Sequence, residues 1–329
     1  MSFDKLQEKI DMMENPTVVG LDPALEHLPP RLLEKYIAEK GESLEAAAAA
    51  VYEFNVGLID ALYDIVPAVK PQMAFYEALG PEGVGALQKT IGYAKSKGLY
   101  VICDGKRNDI GSTAEAYSAA YLGTVKVGAT ELRPFDADAL TVNAYLGSDG
   151  IKPFIDMAVK YDKALFALVK TSNPSAGELQ DREVRQGTVP EHRGTVPEHR
   201  GTVPEPSPVL PLYAVVGDLI EEISRDTKGK YGFTRVGAVV GATYPEEIDF
   251  LRVRLKNTFF LIPGYGAQGG GALDVVHAFT ESGQGAIVNS SRAIIAAWKK
   301  TGEDYQDAAR AEALRMRDDL RRFVCSGRR

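Results

Sequence analysis

Eight short apolar segments, separated by stretches with helical patterns, constrain the fold of this sequence more than any other feature. The segments are continuous in apolar character and rich in Val, Ile and Phe, as is typical of strands buried on both faces of a parallel sheet. Eight such strands, each followed by a helix, predict an α/β fold of the closed (β/α)8 barrel type. The segments are TVVGLD (17–22), AVKPQMA (68–74), YVICDGK (100–106), ALTVN (139–143), ALFALVK (164–170), VGAVVGA (236–242), TFFLIPG (258–264) and GAIVNSS (285–291).

The helix candidates between these segments include residues 43–64, 81–98 and 212–226. At 329 residues the chain is long for one domain but ordinary for a barrel with insertions, so we expect a single domain over 1–329. A doubly wound open sheet is the alternative. It would be a large sheet, and no G-x-G-x-x-G motif follows the first strand.

One stretch interrupts the alternation of strands and helices. The heptad GTVPEHR occurs at 187–193 and again at 194–200, and a partial third copy begins at Gly201. Each copy contains a Gly and a Pro, which oppose a helical coiled coil. A metal site at His192 and His199 would need a folded turn that nothing in the sequence specifies. We therefore predict a flexible, solvated insertion over 181–209, after the fifth strand.

Charge and cysteine content narrow the class of protein. The formal net charge of −7 opposes general nucleic-acid binding, which needs a basic face. Cys103 and Cys325 lie far apart and form no C-x-x-C pair, which indicates a reducing compartment. The N-terminus lacks the apolar core of a signal peptide, and no window approaches the roughly 18 apolar residues of a membrane span. We expect a cytoplasmic protein that binds neither nucleic acid nor membranes.

Charged side chains collect where the predicted strands end. In a (β/α)8 barrel, these carboxyl-terminal strand ends form the active site. Each residue alone has a structural alternative: Asp22 could open a turn, and Lys70 could pair with any carboxylate. Together, two lysines and two carboxylates at adjacent strand ends are a costly way to build a core, which favours a site. The candidates are Asp22, Lys70, Asp104, Lys106, Asp109 and, after the fifth strand, Ser172.

A second group of residues predicts a phosphate site. The glycine-rich loop PGYGAQGGG (263–271) follows the seventh strand and contains Gln268, and Arg292 follows the eighth strand. Neither is informative alone. Together they fit the phosphate site common in these barrels, where backbone N–H groups and a guanidinium bind a phosphate dianion.

The stretch DGKRNDIGST (104–113) resembles the D-x-K-x-x-D-I signature of the orotidine 5′-phosphate decarboxylase family. Five further stretches occur in the order typical of that family. The resemblance covers roughly residues 5–300 apart from the repeat, and it is strongest to the longer bacterial branch. The further stretches are VVGLDP, VKPQMAFYE, TSNPSAGE, PGYGAQGG and NSSR.

The resemblance implies decarboxylation of orotidine 5′-monophosphate to uridine 5′-monophosphate, the last step of pyrimidine nucleotide synthesis, without a metal or organic cofactor. It implies a homodimer in which Asp109 and Thr113 reach the partner subunit's site. The implied roles are proton donation to C6 by Lys106, repulsion of the substrate carboxylate by Asp104, ribose binding by Asp22 and Lys70, pyrimidine binding by Ser172, and phosphate binding by Gln268 and Arg292.

Two alternatives stay open from the sequence. The first is a keto-sugar-phosphate lyase on the same barrel, which would use a metal and an acidic residue soon after strand two, for which Glu77 is available. The second is a catalytically silent nucleotide-binding barrel. The TSNPS and PGYGAQGG stretches favour the nucleotide enzyme over the lyase, and the complete set of charged residues opposes the silent protein.

Overall fold

All eight predicted strands form one closed parallel barrel, in the chain order expected for a (β/α)8 fold. The structure, a computed structural model, describes residues 1–185, 208–266 and 270–324. Strand β1 pairs in parallel with both β2 and β8, which closes the barrel. The strands are β1 (Thr17–Leu21), β2 (Ala68–Pro71), β3 (Tyr100–Arg107), β4 (Ala139–Val142), β5 (Ala164–Lys170), β6 (Val236–Val240), β7 (Phe260–Ile262) and β8 (Ala286–Ser290).

Helices surround the barrel, and the helix candidates at 43–64, 81–98 and 212–226 are confirmed as α3, α5 and α9. Short 3₁₀ turns supplement them at Leu25–His27, Pro174–Ala176, Arg225–Thr227 and Val276–Ala278. No helix among the described residues is both long enough and apolar enough to cross a membrane. The helices are α1 (Ser2–Met13), α2 (Pro30–Lys40), α3 (Leu44–Leu62), α4 (Met73–Glu77), α5 (Gly80–Ser96), α6 (Gly111–Leu122), α7 (Ser148–Tyr161), α8 (Gly177–Gln180), α9 (Leu212–Ser224), α10 (Pro245–Arg254), α11 (Ala272–Val275), α12 (Arg292–Ile295), α13 (Trp298–Thr301) and α14 (Tyr305–Val324).

Helix α1 closes the amino-terminal end of the barrel. Phe3 is fully buried, and its ring lies 4.9 Å from the rings of both Phe166 and Phe259. These rings belong to an apolar cluster that also contains inward-facing strand residues such as Ile102 and Ile287. In the part of the chain that the structure describes, apolar side chains thus fill this end of the barrel, which leaves the opposite end for a ligand.

The predicted insertion follows β5, but its repeat at 187–200 lies outside the described residues. The flanking residues form a short antiparallel pair, in which Glu183–Arg185 runs against Val209–Pro211. A second hairpin, Val125–Val127 with Thr130–Leu132, follows α6. The first hairpin brings Arg185 and Val209 into direct register. The ends of the connection between them are therefore held side by side.

This pairing predicts that the repeat is dispensable. Deleting residues 187–200 leaves nine residues, 186 and 201–208, to join Arg185 to Val209. Because loop-closure entropy depends only logarithmically on length, the free energy of unfolding should change by about 1 kcal/mol or less. Urea unfolding measures the change in stability, and turnover of the substrate that the family resemblance implies measures the change in activity. Loss of the folded state or of activity would show that the repeat belongs to the barrel or to the site.

Candidate active site

The carboxyl-terminal end of the barrel encloses a cavity of about 550 Å³. Six of the residues predicted from the sequence line it, contributed by the ends of β1, β2, β3, β5 and β8. Apolar side chains of β5, β6 and β7 form part of the wall, including Leu168, Val239 and Leu261. The predicted residues that line the cavity are Asp22, Lys70, Asp104, Lys106, Ser172 and Arg292.

The Asp104 carboxylate lies at the centre of the polar part of the cavity and accepts four side-chain hydrogen bonds. Lys70 Nζ and Gln72 Nε2 donate to Oδ2 at 2.8 and 2.9 Å, and Lys106 Nζ and Thr141 Oγ1 donate to Oδ1 at 2.7 and 2.8 Å. Each oxygen of this buried carboxylate thus accepts one hydrogen bond from an ammonium and one from a neutral donor. Charge-assisted bonds of this kind are among the strongest that side chains form.

The charges in this cluster favour the ionised forms of Asp104 and Lys70. Burial by itself raises the pKa of Asp104, but the charges of Lys70 and Lys106 outweigh it and lower that pKa well below its usual range. Burial likewise opposes the charged form of Lys70, but Asp104 and Asp22 raise the pKa of its ammonium above the ordinary lysine value. Lys70 is buried, whereas 45% of the Lys106 side chain is exposed. Lys106 is therefore the ammonium that a bound ligand can reach.

A bulge in β3 directs Lys106 into the cavity. Cys103 pairs with Leu140 and Arg107 with Val142, so three residues of β3 lie opposite Thr141 alone. Within the bulge Lys106 has φ 48°, a left-handed conformation that is unfavourable for a side-chain-bearing residue. The Lys106 N–H donates to Thr141 Oγ1 at 2.9 Å. Thr141 therefore binds both the strained backbone and the Asp104 carboxylate.

Gln72 and Thr141 also belong to the site, and neither is among the residues predicted from the sequence. Along each strand, inward-facing residues recur every second position. Ala68, Ile102 and Ala139 face the apolar inner cluster. Counting two residues onward from each gives Lys70, Asp104 and Thr141. The same count would have identified Thr141 from the sequence, because it falls level with the predicted charges.

Two buried acceptors in the cavity have no partner among the described protein groups. These are Oδ1 of Asp22 and Oδ1 of Asn289. Ser291 packs over Gly20 beside them, where a Cβ on Gly20 would lie 1.8 Å from the serine Oγ. A buried acceptor without a donor is costly. Hydroxyl groups of a bound sugar are suitable donors for both.

Comparison with known proteins agrees with this geometry. The sequence model of the orotidine 5′-phosphate decarboxylase / HUMPS family matches residues 18–198. The orotidine 5′-phosphate decarboxylase of Rhodopirellula baltica is 42% identical over 93% of this chain and 94% of its own length. That of Caldicellulosiruptor bescii is 38% identical over 96% of this chain and 97% of its own length. The chain belongs to the orotidine 5′-phosphate decarboxylase family.

Solved structures with the same barrel support the assignment. A putative decarboxylase of this family from Toxoplasma gondii superposes with a TM-score of 0.74 at 26% identity, covering 99% of this chain and 97% of its own. One from Streptomyces avermitilis gives a TM-score of 0.71 at 29% identity, covering 98% and 96%. The family resemblance stated from DGKRNDIGST and the (β/α)8 fold are both confirmed, and the chain is a carboxy-lyase.

The alternative based on Glu77 is not favoured. In this decarboxylase-family chain, the Glu77 carboxylate forms an ion pair with Arg107. The Arg107 guanidinium also lies 5.7 and 5.8 Å from the ring centroids of Tyr117 and Tyr121. Glu77 therefore joins α4 to the end of β3. Within residues 1–185, 208–266 and 270–324, no three His, Cys, Asp or Glu side chains cluster to hold a metal ion.

The remaining predicted site residues differ in position. Arg292 is exposed at the start of α12 and forms no ion pair with the described residues, so its guanidinium is available to an anion. Gln268 lies outside the described residues. Asp109 and Thr113 do not line the cavity of their own chain. Asp109 Oδ1 accepts the Ile110 N–H at 2.8 Å, and Thr113 is exposed in the first turn of α6.

The coupling around Asp104 predicts a pH-dependent contribution to stability. Its pKa is lower in the folded chain than the roughly 3.9 of an unfolded Asp, so the contribution is present above that value and is lost on acidification. The difference in unfolding free energy between the native chain and Asp104→Asn should be largest at neutral pH. It should shrink from about pH 5 downward.

Urea unfolding at a series of pH values from 7 to about 3 measures this difference. Asp156→Asn, on the exposed face of α7, is the matched control and should differ from the native chain by a small, nearly constant amount. A difference for Asp104→Asn that stays constant or grows with acidification would contradict the described charge coupling.

Proposed function

We propose that Lys70, Asp104 and Lys106, together with Asp109 of a second copy, form the array that removes CO2 from C6 of orotidine 5′-monophosphate. The chain catalyses the final step of pyrimidine nucleotide synthesis, which yields uridine 5′-monophosphate. The observation that carries the proposed roles is the bonding of two ammonium groups to opposite oxygens of one buried carboxylate. This arrangement holds positive charge in place before the substrate arrives.

The reaction explains why a preorganised cation is needed. Loss of CO2 leaves an electron pair in an sp2 orbital at C6, which the ring cannot delocalise. Positive charge fixed at that carbon stabilises the developing anion without reorganisation, and a proton completes the reaction. Lys106 is the reachable ammonium of the pair, and the bulge in β3 directs it into the cavity. We assign it as the proton donor.

Asp104 has two consequences for the reaction. Its two oxygens bind the ammonium groups of Lys70 and Lys106, which fixes positive charge in the cavity before substrate binds. Placed beside the substrate carboxylate, it also repels that group before reaction, and the repulsion ends when CO2 leaves. Removing Asp104 would therefore affect both the placement of the two ammonium groups and the relative energy of the bound substrate.

The rest of the cavity fits the rest of the nucleotide. Asp22, with its unpartnered buried oxygen, is assigned to the ribose hydroxyls together with Lys70. Ser172, after β5, is assigned to the pyrimidine amide edge. Arg292 and Gln268 are assigned to the phosphate. Binding energy from the phosphate can be used to position the reacting carbon, which lies at the other end of the substrate.

The placement of Asp109 and Thr113 supports a site shared between two subunits. Both lie outside the cavity of their own chain, near the start of α6. Large apolar side chains are exposed at the same rim of the barrel, with Ile110 57%, Tyr145 78% and Leu146 50% exposed. A second copy would cover these side chains and bring its own Asp109 to the array. The proposed active unit is thus a homodimer with two-fold symmetry.

Substitution of Lys106 tests the proton donor. Lys106→Ala should lower kcat/KM by at least about 10⁴-fold, because it removes a general acid and a fixed positive charge together. The absorbance change of orotidine 5′-monophosphate in excess chelator measures turnover. Lys228→Ala replaces an exposed lysine that precedes β6, towards the amino-terminal end of the barrel, and should behave like the native protein. Activity of Lys106→Ala within about tenfold of native would reject the assignment.

Mixing two inactive variants tests the shared site. In a heterodimer of Lys106→Ala and Asp109→Ala, one site carries both substitutions and the other carries neither. Random exchange makes about half of the dimers mixed, so about a quarter of all sites should regain activity. Activity should appear only after subunit exchange by mild denaturation or by dilution and reconcentration.

A second mixture controls for this effect. Lys106→Ala mixed with Asp104→Ala should stay inactive, because both residues serve their own barrel and every site then carries one lesion. Mass spectrometry confirms that heterodimers have formed. If confirmed heterodimers of Lys106→Ala and Asp109→Ala show no recovery, Asp109 serves its own chain and the shared-site proposal is wrong.

A further inference from the structure

Lys170 is a buried cation to which the reaction assigns no role. It is the last residue of β5, its side chain is 1% exposed, and it does not line the cavity. Its ammonium forms ion pairs with Asp181 and, at 3.4 Å, with Glu247. The ring centroids of Tyr213 and Tyr244 lie 5.2 and 5.4 Å away. Burying an ammonium costs free energy that good pairing must offset, so its placement needs a physical reason.

A register shift explains why Lys170 points away from the cavity. Leu168 lines the cavity, so strict alternation along β5 would direct Lys170 into it as well. Instead, Val239 of β6 pairs with Leu168 while the next residue, Val240, pairs with Lys170. The extra residue of β5 turns the lysine outward, to α9 and α10. The strand therefore deviates from regular pairing at the position from which the 171–180 segment departs.

Lys170 and Asp181 are the two residues that flank the 171–180 segment. Their ion pair joins its two ends. A second contact lies just inside the first: the Thr171 N–H donates to Gln180 Oε1 at 2.9 Å, and Gln180 Nε2 donates to Thr171 Oγ1 at 2.8 Å. The segment between these contacts carries Ser172, which lines the cavity. The ends of a site-forming loop are thus joined twice.

The same ion pair separates this segment from the insertion. Asp181 lies two residues before Glu183, the first residue of the hairpin strand Glu183–Arg185, from which the chain continues to the repeat. Beside it, the Leu212 N–H donates to Arg182 O at 2.8 Å. Glu247 of α10 forms the second ion pair of the same lysine. Movement of the hairpin is therefore resisted at Asp181 before it can displace Ser172.

We propose that Lys170 is a positioning residue for pyrimidine recognition, acting through Asp181 to hold the 171–180 segment so that Ser172 faces the pyrimidine. This inference rests on the proposed role of Ser172. A positioning role of this kind differs from a general role in stability. In the proposed assignment, the 171–180 segment contacts the pyrimidine and no other part of the nucleotide. Contacts to the ribose and phosphate come from Asp22 and Arg292, on other strand ends.

Two ligands distinguish a positioning role of Lys170 from a general role in stability. Uridine 5′-monophosphate contains the pyrimidine, and ribose 5-phosphate lacks it. In Lys170→Met, the affinity for uridine 5′-monophosphate should fall about tenfold, which corresponds to loss of one well-placed contact, while the affinity for ribose 5-phosphate should stay within about twofold. Calorimetric titration of the folded full-length variants measures both. Asp181→Asn should shift the ratio of the two affinities in the same direction by a smaller factor.

Lys163→Met is the matched control. Lys163 is also a buried lysine paired with an aspartate, Asp136, but it precedes β5, at the other end of the barrel. The control should lower stability while leaving the ratio of the two affinities unchanged. An unchanged ratio in Lys170→Met would overturn the inference. Should that variant fail to fold, an unchanged ratio in Asp181→Asn, whose side chain is 46% exposed, would overturn it equally.

The result can be separated from the proposed function itself. If the native chain binds uridine 5′-monophosphate and turns over orotidine 5′-monophosphate, failure of the affinity test rejects only the role of Lys170. If the native chain does neither, the proposed function fails first. Ser172→Ala supplies a further check, since it should change the same ratio as Lys170→Met. Opposite shifts in these two variants would reject the pathway through the segment.

Discussion

The Asp104 carboxylate, with an ammonium and a neutral donor on each oxygen, is the interaction on which the rest of the site depends. The charges of Asp104 and Lys70 are buried and costly alone, and removing one partner of a buried pair typically costs about 3–5 kcal/mol. As a group they offset one another's desolvation. The array is therefore stable before substrate binds, and its positive charge is already in place when an anion develops at C6.

The barrel makes this array possible by separating its interior into layers. Inward-facing residues near the amino-terminal end, such as Phe166 and Ile102, pack with Phe3 of α1 into an apolar core. The next inward positions carry Asp104 and Thr141, which line the cavity. Apolar packing below thus supports polar groups above. Since parallel strands end at the same rim, residues far apart in sequence become neighbours without any local signal between them.

Two departures from regular strand pairing refine the site. The bulge in β3 places Lys106 in the cavity in a left-handed conformation, and the shift between β5 and β6 turns Lys170 out of it. Lys106 can therefore reach the substrate, whereas Lys170 forms a structural ion pair with Asp181. Both departures occur at strand ends, where the pairing passes into functional loops. Strain of this kind persists only where surrounding contacts hold it, as Thr141 does for Lys106.

Eight apolar segments with helices between them were enough to predict the barrel, because one closed parallel topology satisfies that pattern. Most of the charged site followed from the same pattern, because the strand ends share a rim. The sequence also carried the family resemblance through DGKRNDIGST. Which atoms meet depends on the tertiary structure. Thr141 lies in none of the family stretches, and Gln72 lies within VKPQMAFYE but carries no charge that marks it. The roles of both come from facing Asp104 across neighbouring strands. Alternation along β5 likewise predicts that Lys170 points into the cavity, whereas it points outward. The difference comes from a register shift between β5 and β6, and the sequence of one strand does not encode how it pairs with its neighbour.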